Sequence, residues 1–514
     1  MHLLKSLTMT SIVTMLSRVL GFIRDTCIAR HFGAGIITDA FFIAFRLPNL
    51  LRRIFAEGVF CQIFLSTLSK YRCCANTEEV RVFISRVSGI LMLIISIIIC
   101  IGLLEAPRII ISTVPGINNS VEKFSITVSM FRIMFPYILL ISLASLIGIV
   151  LNTYNIFIAP SLTPIFLNLS MISFMLFSEY LYCHVSIIGL AWSVIVGGGL
   201  QCIYCMFLLK KIDMLVYPKI HFNDNRVCRL YRLMIPAIIV VSSSQISFII
   251  NIFLASFLQD GSISWMYYAD RLMELPIGVF GVTLTTILSP YLSRCIFKKN
   301  YKDYFNIVKI GIRLSYVLSM PCVVILCVLS KPLVITLFKY GKFSEFDVLM
   351  TQYSVIAYAI GLPALILIKV LTSAFYARSD IRIPIYIVMI TMVFAQVINI
   401  SCIHVLKHVV FSVSVSLSAW FNAGLLYWIF KKKYYFCNKS RWFLFFSRII
   451  ISIFVMLLVC LGLLIYIPDW SQGGIIYRFI KMIMVLVLVI SSYCVVLWCV
   501  GIRVKDFVFL GKQN

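Results

Sequence analysis

The chain contains 514 residues, of which 61% are hydrophobic and 12% are charged, and its formal net charge is +26. About a quarter of the residues of a typical soluble domain are charged, so this composition excludes a soluble globular protein. Runs such as 90–104 and 482–500 are almost uninterruptedly apolar, and about 20 such residues cross a bilayer. We therefore expect an all-α polytopic membrane protein.

Apolar length, with Pro, Gly and charged residues as boundaries, predicts fourteen membrane-spanning helices. Their approximate bounds are 3–29, 35–67, 83–104, 125–151, 158–181, 185–209, 230–258, 263–293, 305–330, 348–376, 383–404, 409–430, 443–467 and 476–501. Lys and Arg are concentrated in the loops after even-numbered spans and in the C-terminal tail. The loops after odd-numbered spans contain fewer basic residues, Lys123 among them. The positive-inside rule then places both termini in the cytoplasm. Topology and contact with anionic lipids account for most of the positive charge, and no nucleic-acid partner is predicted.

An internal repeat of about 225 residues is visible in the sequence. A stretch starting at Phe45 aligns with one starting at Asp270, and a stretch starting at Phe135 aligns with one starting at Gly361. This offset covers six spans, so the two copies should have the same orientation and form two pseudo-symmetric six-helix lobes, an architecture typical of transporters. The predicted domains are an N-terminal lobe at 1–211 with spans 1–6, a C-terminal lobe at 212–432 with spans 7–12, and two extra C-terminal helices with a tail at 433–514.

Many charged residues lie within the predicted spans. The first two spans contain Arg18, Arg24, Asp25, Asp39, Arg46, Arg52, Arg53 and Glu57, and the eighth contains Asp270, Arg271 and Glu274. A charge at the centre of a bilayer costs about 3 kcal/mol on insertion scales. These side chains are therefore expected to face a protein interior or a water-filled cavity.

Arginine predominates in this set, and its planar guanidinium matches the oxygen atoms of a phosphate group. We therefore predict a cationic pocket within the membrane that holds a diphosphate. The substrate-binding residues are predicted to be Arg18, Arg24, Arg52 and Arg271. The residues predicted to act in gating or charge pairing are Asp25, Asp39, Arg53, Glu57, Asp270 and Glu274. For all of these six except Asp39, a pairing that merely locks helices together is an equally good interpretation.

No catalytic residue, metal ion or cofactor is predicted. The sequence lacks a Walker A loop, a zinc motif, a Gly-x-Ser-x-Gly motif and the paired aspartate motif of prenyl-diphosphate enzymes. Its one Cys-x-x-Cys pair, Cys202 and Cys205, lies inside a predicted span and has no second pair to complete a metal site. We therefore expect a transporter rather than an enzyme.

Four segments carry a resemblance to a known family. SRVLGFIRD at 17–25, FGAGIITDAFFIAFRLPNLLRRIFAEG at 32–58, SWMYYADRLME at 264–274 and YGKFSEFD at 340–347 resemble the MurJ (MviN) lipid II flippases of the MOP exporter superfamily. The similarity extends over the whole chain and includes its length and its number of spans.

The resemblance implies a function. Lipid II, a disaccharide-pentapeptide linked to undecaprenyl diphosphate, would be moved from the cytoplasmic to the outer leaflet of the bacterial inner membrane for peptidoglycan and cell-wall synthesis. Two lobes would alternate between inward and outward openings, and the last two helices would form a groove for the lipid tail. The resemblance also implies importance for Arg18, Arg24, Arg52, Arg271 and Asp39, and coupling to the membrane potential, with a coupling ion left open.

Three alternatives remain open at this point. A MATE-like drug or cation antiporter of the same superfamily would need an acidic site, whereas the predicted cavity is rich in arginine. A non-transporting scaffold for cell-wall synthesis would explain the basic loops but not the charges within the spans of both lobes. A membrane transferase that uses a polyprenyl carrier would need acidic metal-binding motifs, which the sequence lacks.

Overall fold

The computed structural model describes residues 2–52, 59–74, 76–154, 156, 158–181, 185–222, 224–434, 442–467 and 469–503. Most of these residues are helical, and no strand occurs among them. The helices are α1 (His2–Phe32), α2 (Ile36–Arg52), α3 (Val59–Cys74), α4 (Thr77–Leu104), α5 (Ala106–Thr113), α6 (Val121–Met134), α7 (Tyr137–Thr153), α8 (Ile158–Tyr180), α9 (Ile187–Lys211), α10 (Asn225–Ala255), α11 (Ser262–Pro276), α12 (Val282–Phe297), α13 (Tyr301–Val328), α14 (Ser330–Phe338), α15 (Glu345–Ala377), α16 (Arg382–Leu406), α17 (Val409–Tyr434), α18 (Trp442–Tyr466) and α19 (Ile475–Cys499). A 3₁₀ turn at Pro115–Asn119 precedes α6, and a π-helical turn at Ile277–Gly281 joins α11 to α12.

Eleven helical segments within the described ranges have the length and apolarity of membrane spans. The chain is therefore an all-α, multi-pass membrane protein, as predicted. The other three predicted spans correspond to α1, to α2 with α3, and to α10, so the predicted number of fourteen is consistent with the helices. The short helices α5 and α14 lie where no span was predicted, and at 8 and 9 residues they are too short to cross a bilayer.

The chain divides into two compact units, unit 1 at Met1–Ser264 and unit 2 at Trp265–Asn514. In unit 1, α8 packs along α1 and α9, α7 along α9, and α2 along α6, while α10 packs on α3. In unit 2, α15 packs against α12, α13 and α17, and α18 and α19 pack on each other. The boundary between the units falls within the first turn of α11. The lobe boundaries at 211 and 432, which were drawn from the repeat, remain a prediction.

The helix positions repeat along the chain. Helices α4 and α13 begin at Thr77 and Tyr301, and each contains 28 residues. Each is followed, after one residue, by a short helix, α5 or α14. The pair α6 and α7 covers Val121–Thr153, and α15 covers Glu345–Ala377 as one continuous helix. The order and spacing of helices in the first copy therefore recur in the second.

Candidate functional site

Asp39 is a buried acid of the predicted set whose carboxylate accepts several hydrogen bonds. It lies in the first turn of α2 and is 1% exposed. Its Oδ1 accepts hydrogen bonds from the backbone N–H of Ser264 (2.9 Å) and from Ser264 Oγ (2.6 Å). Its Oδ2 accepts one from the backbone N–H of Gly261 (2.8 Å). The carboxylate therefore satisfies N–H groups at the start of α11, where a helix leaves its first donors without partners.

Lys123 supplies the positive charge opposite Asp39. Its Nζ lies 3.3 Å from Asp39 Oδ2 and 2.5 Å from Asp260 Oδ1. Lys123 is in the first turn of α6 and is 9% exposed, whereas about half of the Asp260 side chain is exposed. The ammonium thus joins the buried acid on α2 to an acid at the surface, and this arrangement compensates the buried charge. We call the contact between Asp39 and Lys123 the unit 1 clasp.

The loop before α11 is shaped for this contact. Gly261 has a φ of 93°, a left-handed conformation that glycine adopts without the steric cost of a Cβ atom. That conformation presents its N–H to Asp39 one turn ahead of the Ser264 N–H. The segment Asp260–Ser264 therefore provides both a counter-charge for Lys123 and hydrogen-bond donors for Asp39.

Unit 2 contains a similar contact between α11 and α15, at corresponding places within the helices. Asp39 is the fourth residue of α2 and Trp265 is the fourth residue of α11, while Lys123 and Asp347 are the third residues of α6 and α15. Trp265 Nε1 donates a hydrogen bond to Asp347 Oδ1 at 2.8 Å, and both residues are buried. We call this contact the unit 2 clasp. A polar contact between first turns thus joins α2 to α6 in unit 1 and α11 to α15 in unit 2.

Trp265→Phe should destabilise the protein by about 1–3 kcal/mol, because Asp347 Oδ1 would lose a buried donor. The ring contact with His408, at a centroid distance of 5.0 Å, would be largely kept. The measurement is the thermal unfolding midpoint of the purified protein. Trp420→Phe is the matched control, since Trp420 donates to the Ile360 carbonyl at a partly exposed site. Equal shifts in the two variants would contradict a special role for the unit 2 clasp.

A second buried charge cluster lies within unit 1. Arg24 and Asp25, adjacent on α1, are 5% and 0% exposed, and Arg24 Nη2 lies 2.6 Å from Asp25 Oδ1. Arg24 Nη1 also donates to Asn168 Oδ1 of α8 at 3.1 Å, and Asn168 Nδ2 donates to the Ser17 carbonyl at 3.2 Å. In this conformation, the Arg24 guanidinium is therefore engaged by protein groups.

The other predicted arginines of unit 1 differ from Arg24. Arg18 is exposed on α1, and no ion pair or hydrogen bond of its side chain is found within the described ranges. Arg52 is half-buried at the end of α2, and its Nε donates to Asn49 Oδ1 at 2.7 Å. Arg46 stacks over Phe248, with Cζ 4.6 Å from the ring centroid. Arg18 is therefore the predicted ligand with the fewest protein contacts.

In unit 2, the predicted cluster lies on one helix, α11. Arg271 Nη1 contacts Glu274 at 2.9 Å, and its Nη2 donates to Tyr267 Oη at 2.9 Å. Asp270 is half-buried next to this pair. About a third of the Arg271 side chain remains exposed, so it is accessible for a further contact.

The predicted residues Arg53 and Glu57 lie outside the described residues. Arg18, Arg24 and Arg52 belong to unit 1 and Arg271 to unit 2, so a pocket shared by all four stays a prediction. In the sequence, Lys123 serves only as a topology marker, and Asn168, Asp260 and Ser264 carry no pattern that predicts their contacts. In the part of the chain that the structure describes, no three His, Cys, Asp or Glu side chains are grouped as a metal site requires.

Comparison with known proteins identifies relatives over the full length. A family model described as lipid II flippase MurJ matches residues 28–486. A protein of Buchnera aphidicola from Schizaphis graminum, named probable lipid II flippase MurJ, is 42% identical over 508 residues, covering 99% of this chain and 98% of that protein. A protein of Burkholderia cenocepacia, named lipid II flippase MurJ, is 36% identical over 518 residues, covering 99% of both chains.

Solved structures extend the comparison to the fold. The structure named lipid II flippase MurJ, inward closed conformation, superimposes with a TM-score of 0.79 at 25% identity, covering 96% of this chain and 99% of that chain. An inward-facing multidrug transporter of the MATE family in the MOP superfamily superimposes with a TM-score of 0.68 at 11% identity, covering 84% of this chain and 99% of that chain. At this level of identity, the second likeness shows the fold alone.

Proposed function

Because this chain belongs to the MurJ family of lipid II flippases, we propose that it moves lipid II from the cytoplasmic to the outer leaflet of the membrane. The observation that carries the proposal is the similarity over nearly the full length to proteins that bear this name. The chain acts as a transporter rather than as a catalyst. Its product would be the lipid-linked precursor that peptidoglycan synthesis consumes.

The location and topology belong to the same proposal. The membrane is the bacterial inner membrane, and both termini lie in the cytoplasm, which the distribution of Lys and Arg among the loops supports. The lobes 1–211 and 212–432 alternate between inward and outward openings, and 433–514 forms the groove for the lipid tail. The recurrence of helix positions after about 224 residues supports two related lobes. Energy comes from the membrane potential or from a coupling ion.

The charged residues then have two roles. Arg18, Arg24, Arg52 and Arg271 hold the diphosphate of the substrate, and the exposed guanidinium of Arg18 supports this role. Asp39 acts as the gating acid, which the donors around its carboxylate support. Asp25, Asp270 and Glu274 lie near arginines and act as charge partners that compete with the substrate. Arg53 and Glu57 are assigned to gating or charge pairing from their positions in the sequence alone.

The test is rescue of bacterial cells depleted of their own lipid II flippase, with the amount of lipid II accessible at the outer leaflet as the readout. We expect the wild-type chain to restore growth and outer-leaflet lipid II. Failure of rescue by a chain present at normal membrane levels would contradict the proposed substrate. Restored growth without outer-leaflet lipid II would favour the scaffold alternative.

Arg18→Ala should lower outer-leaflet lipid II at least tenfold and leave the thermal unfolding midpoint nearly unchanged. The reason is that an exposed side chain without a described partner contributes little to stability, typically within about 0.5 kcal/mol, whereas a charge-assisted contact to phosphate contributes more than a neutral one. Arg108→Ala is the matched control, because it removes one positive charge from an exposed site of the same unit. Full activity of the Arg18→Ala variant would remove Arg18 from the substrate pocket.

A further inference from the structure

A polar pocket lies at one end of unit 2, away from the charged residues on α11. Its volume is about 460 Å³, and it is lined by residues at the C-terminal ends of α15 and α17 and at the start of α13. These residues include Tyr301, Arg378, Ser379, Lys433 and Tyr434. Helix ends of membrane spans lie at the level of the lipid headgroups. The pocket therefore opens where phosphate groups of a membrane are concentrated.

Aromatic rings surround the Arg378 guanidinium at this pocket. Its Cζ lies 4.0 Å from the centroid of the Tyr434 ring and 4.6 Å from that of Tyr304, and two further rings lie 5.4 Å away. Its Nε is buried and has no hydrogen-bond partner. No carboxylate within the described ranges lies at ion-pair distance from its guanidinium. Aromatic rings near a guanidinium stabilise its charge, and the donors at its edge that are not directed to Tyr304 can bind a ligand.

Lys433 is the second cation of the pocket, and a loop acid positions it. The Lys433 ammonium pairs with Asp380 Oδ2, to which Tyr434 Oη also donates at 2.7 Å. Burial by itself would raise the pKa of Asp380, but the hydrogen bonds from Lys433 and Tyr434 outweigh it and hold this pKa below its usual value. Asp380 is therefore ionised at neutral pH, and it neutralises Lys433 while leaving the charge of Arg378 uncompensated.

The surroundings of the pocket add positive charge. Helix ends next to it carry Arg294, Lys298, Lys299, Lys302, Arg382, Lys431 and Lys432. Among the described residues of the same helix ends, the only acid besides Asp380 is Asp303. The positive electrostatic potential of these residues attracts anions and concentrates them at the pocket.

We propose that this pocket binds a phosphate group through Arg378 and Lys433. A phosphate has enough oxygen atoms to accept from the guanidinium edge and from the ammonium at the same time. Ser379, whose φ is 59°, lines the same pocket and offers a hydroxyl donor. The phosphate comes from a lipid headgroup or from a soluble phosphate compound, and both sources offer the same chemistry. This site is independent of the proposed transport of lipid II.

The test uses the purified full-length protein in detergent. Its thermal unfolding midpoint is measured during titration with dioleoyl phosphatidic acid, with dioleoylglycerol, which lacks the phosphate, and with inorganic phosphate against chloride at equal ionic strength. Lys433→Ala is compared with Lys432→Ala, which removes the same charge from the adjacent residue. Lys432 does not line the pocket, and its ammonium lies 5.3 Å from the Trp428 ring centroid.

We expect phosphatidic acid, but not dioleoylglycerol, to raise the midpoint of the wild type. Lys433→Ala should weaken the apparent affinity about tenfold, as loss of one charge-assisted contact predicts, whereas Lys432→Ala should leave it within about twofold. Stabilisation by inorganic phosphate as well would assign the site to soluble phosphates. If Lys433→Ala fails to fold, Arg378→Lys, which keeps the charge but removes the planar fork, gives the same comparison. Equal affinities in both lysine variants, or no phosphate-dependent shift in the wild type, would overturn the proposal.

Discussion

Asp39→Asn is expected to abolish rescue of flippase-depleted cells while the protein still reaches the membrane. The carboxylate accepts from four donors, so an amide in its place turns an N–H₂ group toward at least one of them. The change also leaves the buried Lys123 ammonium with Asp260 alone. Removal of one partner from a buried ion pair costs about 3–5 kcal/mol. A cost of this size lowers the equilibrium constant for forming the unit 1 clasp by more than 100-fold. Outer-leaflet lipid II and the unfolding midpoint are the two measurements.

Asp260→Asn provides the matched control for this variant. It removes the second carboxylate that contacts the Lys123 ammonium. About half of the Asp260 side chain is exposed, and exposed ion pairs contribute at most about 1 kcal/mol to stability. We therefore expect a clearly smaller loss of activity than with Asp39→Asn. Similar losses of activity in the two variants would show that transport depends on the charge balance at Lys123 and not on the capping of the first turn of α11.

Arg24→Ala is expected to lower both stability and activity. Asp25 is 0% exposed and would lose the guanidinium that contacts its Oδ1 at 2.6 Å. Breaking a buried ion pair by removing one of its partners costs about 3–5 kcal/mol. The unfolding midpoint and outer-leaflet lipid II should therefore both fall.

The double variant Arg24→Ala with Asp25→Ala separates the two roles of Arg24. Removing both charges takes away the buried acid together with its guanidinium partner, so much of the lost stability should return. If Arg24 also binds the diphosphate, outer-leaflet lipid II should remain low despite the recovered stability. Recovery of transport in the double variant would make the pair a structural contact and remove Arg24 from the substrate pocket.

The sequence predicted the helical architecture well because apolar length in a membrane protein is a direct physical requirement. Spans predicted at 443–467 and 476–501 correspond to α18 and α19 within one or two residues. The same criterion could not find α5 and α14, since helices of eight or nine residues do not cross a bilayer. The division of the fourth span into α6 and α7 at Pro136 was also not predicted.

The polar contacts of the site were harder to predict than the helices. A lysine near the end of a span is ordinarily explained by topology, and Lys123 was interpreted in that way. Its partners Asp39 and Asp260 are 84 and 137 residues away in the chain, and a helix-face argument relates only residues a few positions apart. The contact of Arg24 with Asn168 is similarly remote, at 144 residues. Periodicity therefore identified the charged residues but not their partners.

The two clasps lie at corresponding places within their helices but differ in their chemistry. In unit 1 the acceptor, Asp39, is the fourth residue of α2, whereas in unit 2 the donor, Trp265, is the fourth residue of α11 and the acid, Asp347, is on the facing helix α15. The helix that supplies the donor in one unit corresponds to the helix that supplies the acceptor in the other, although the contact lies in the first turns in both units. Position 39 is less free to diverge in this way, because its carboxylate also serves Gly261 and Ser264. The two units therefore agree in the location of this contact within their helices rather than in the identity of its residues.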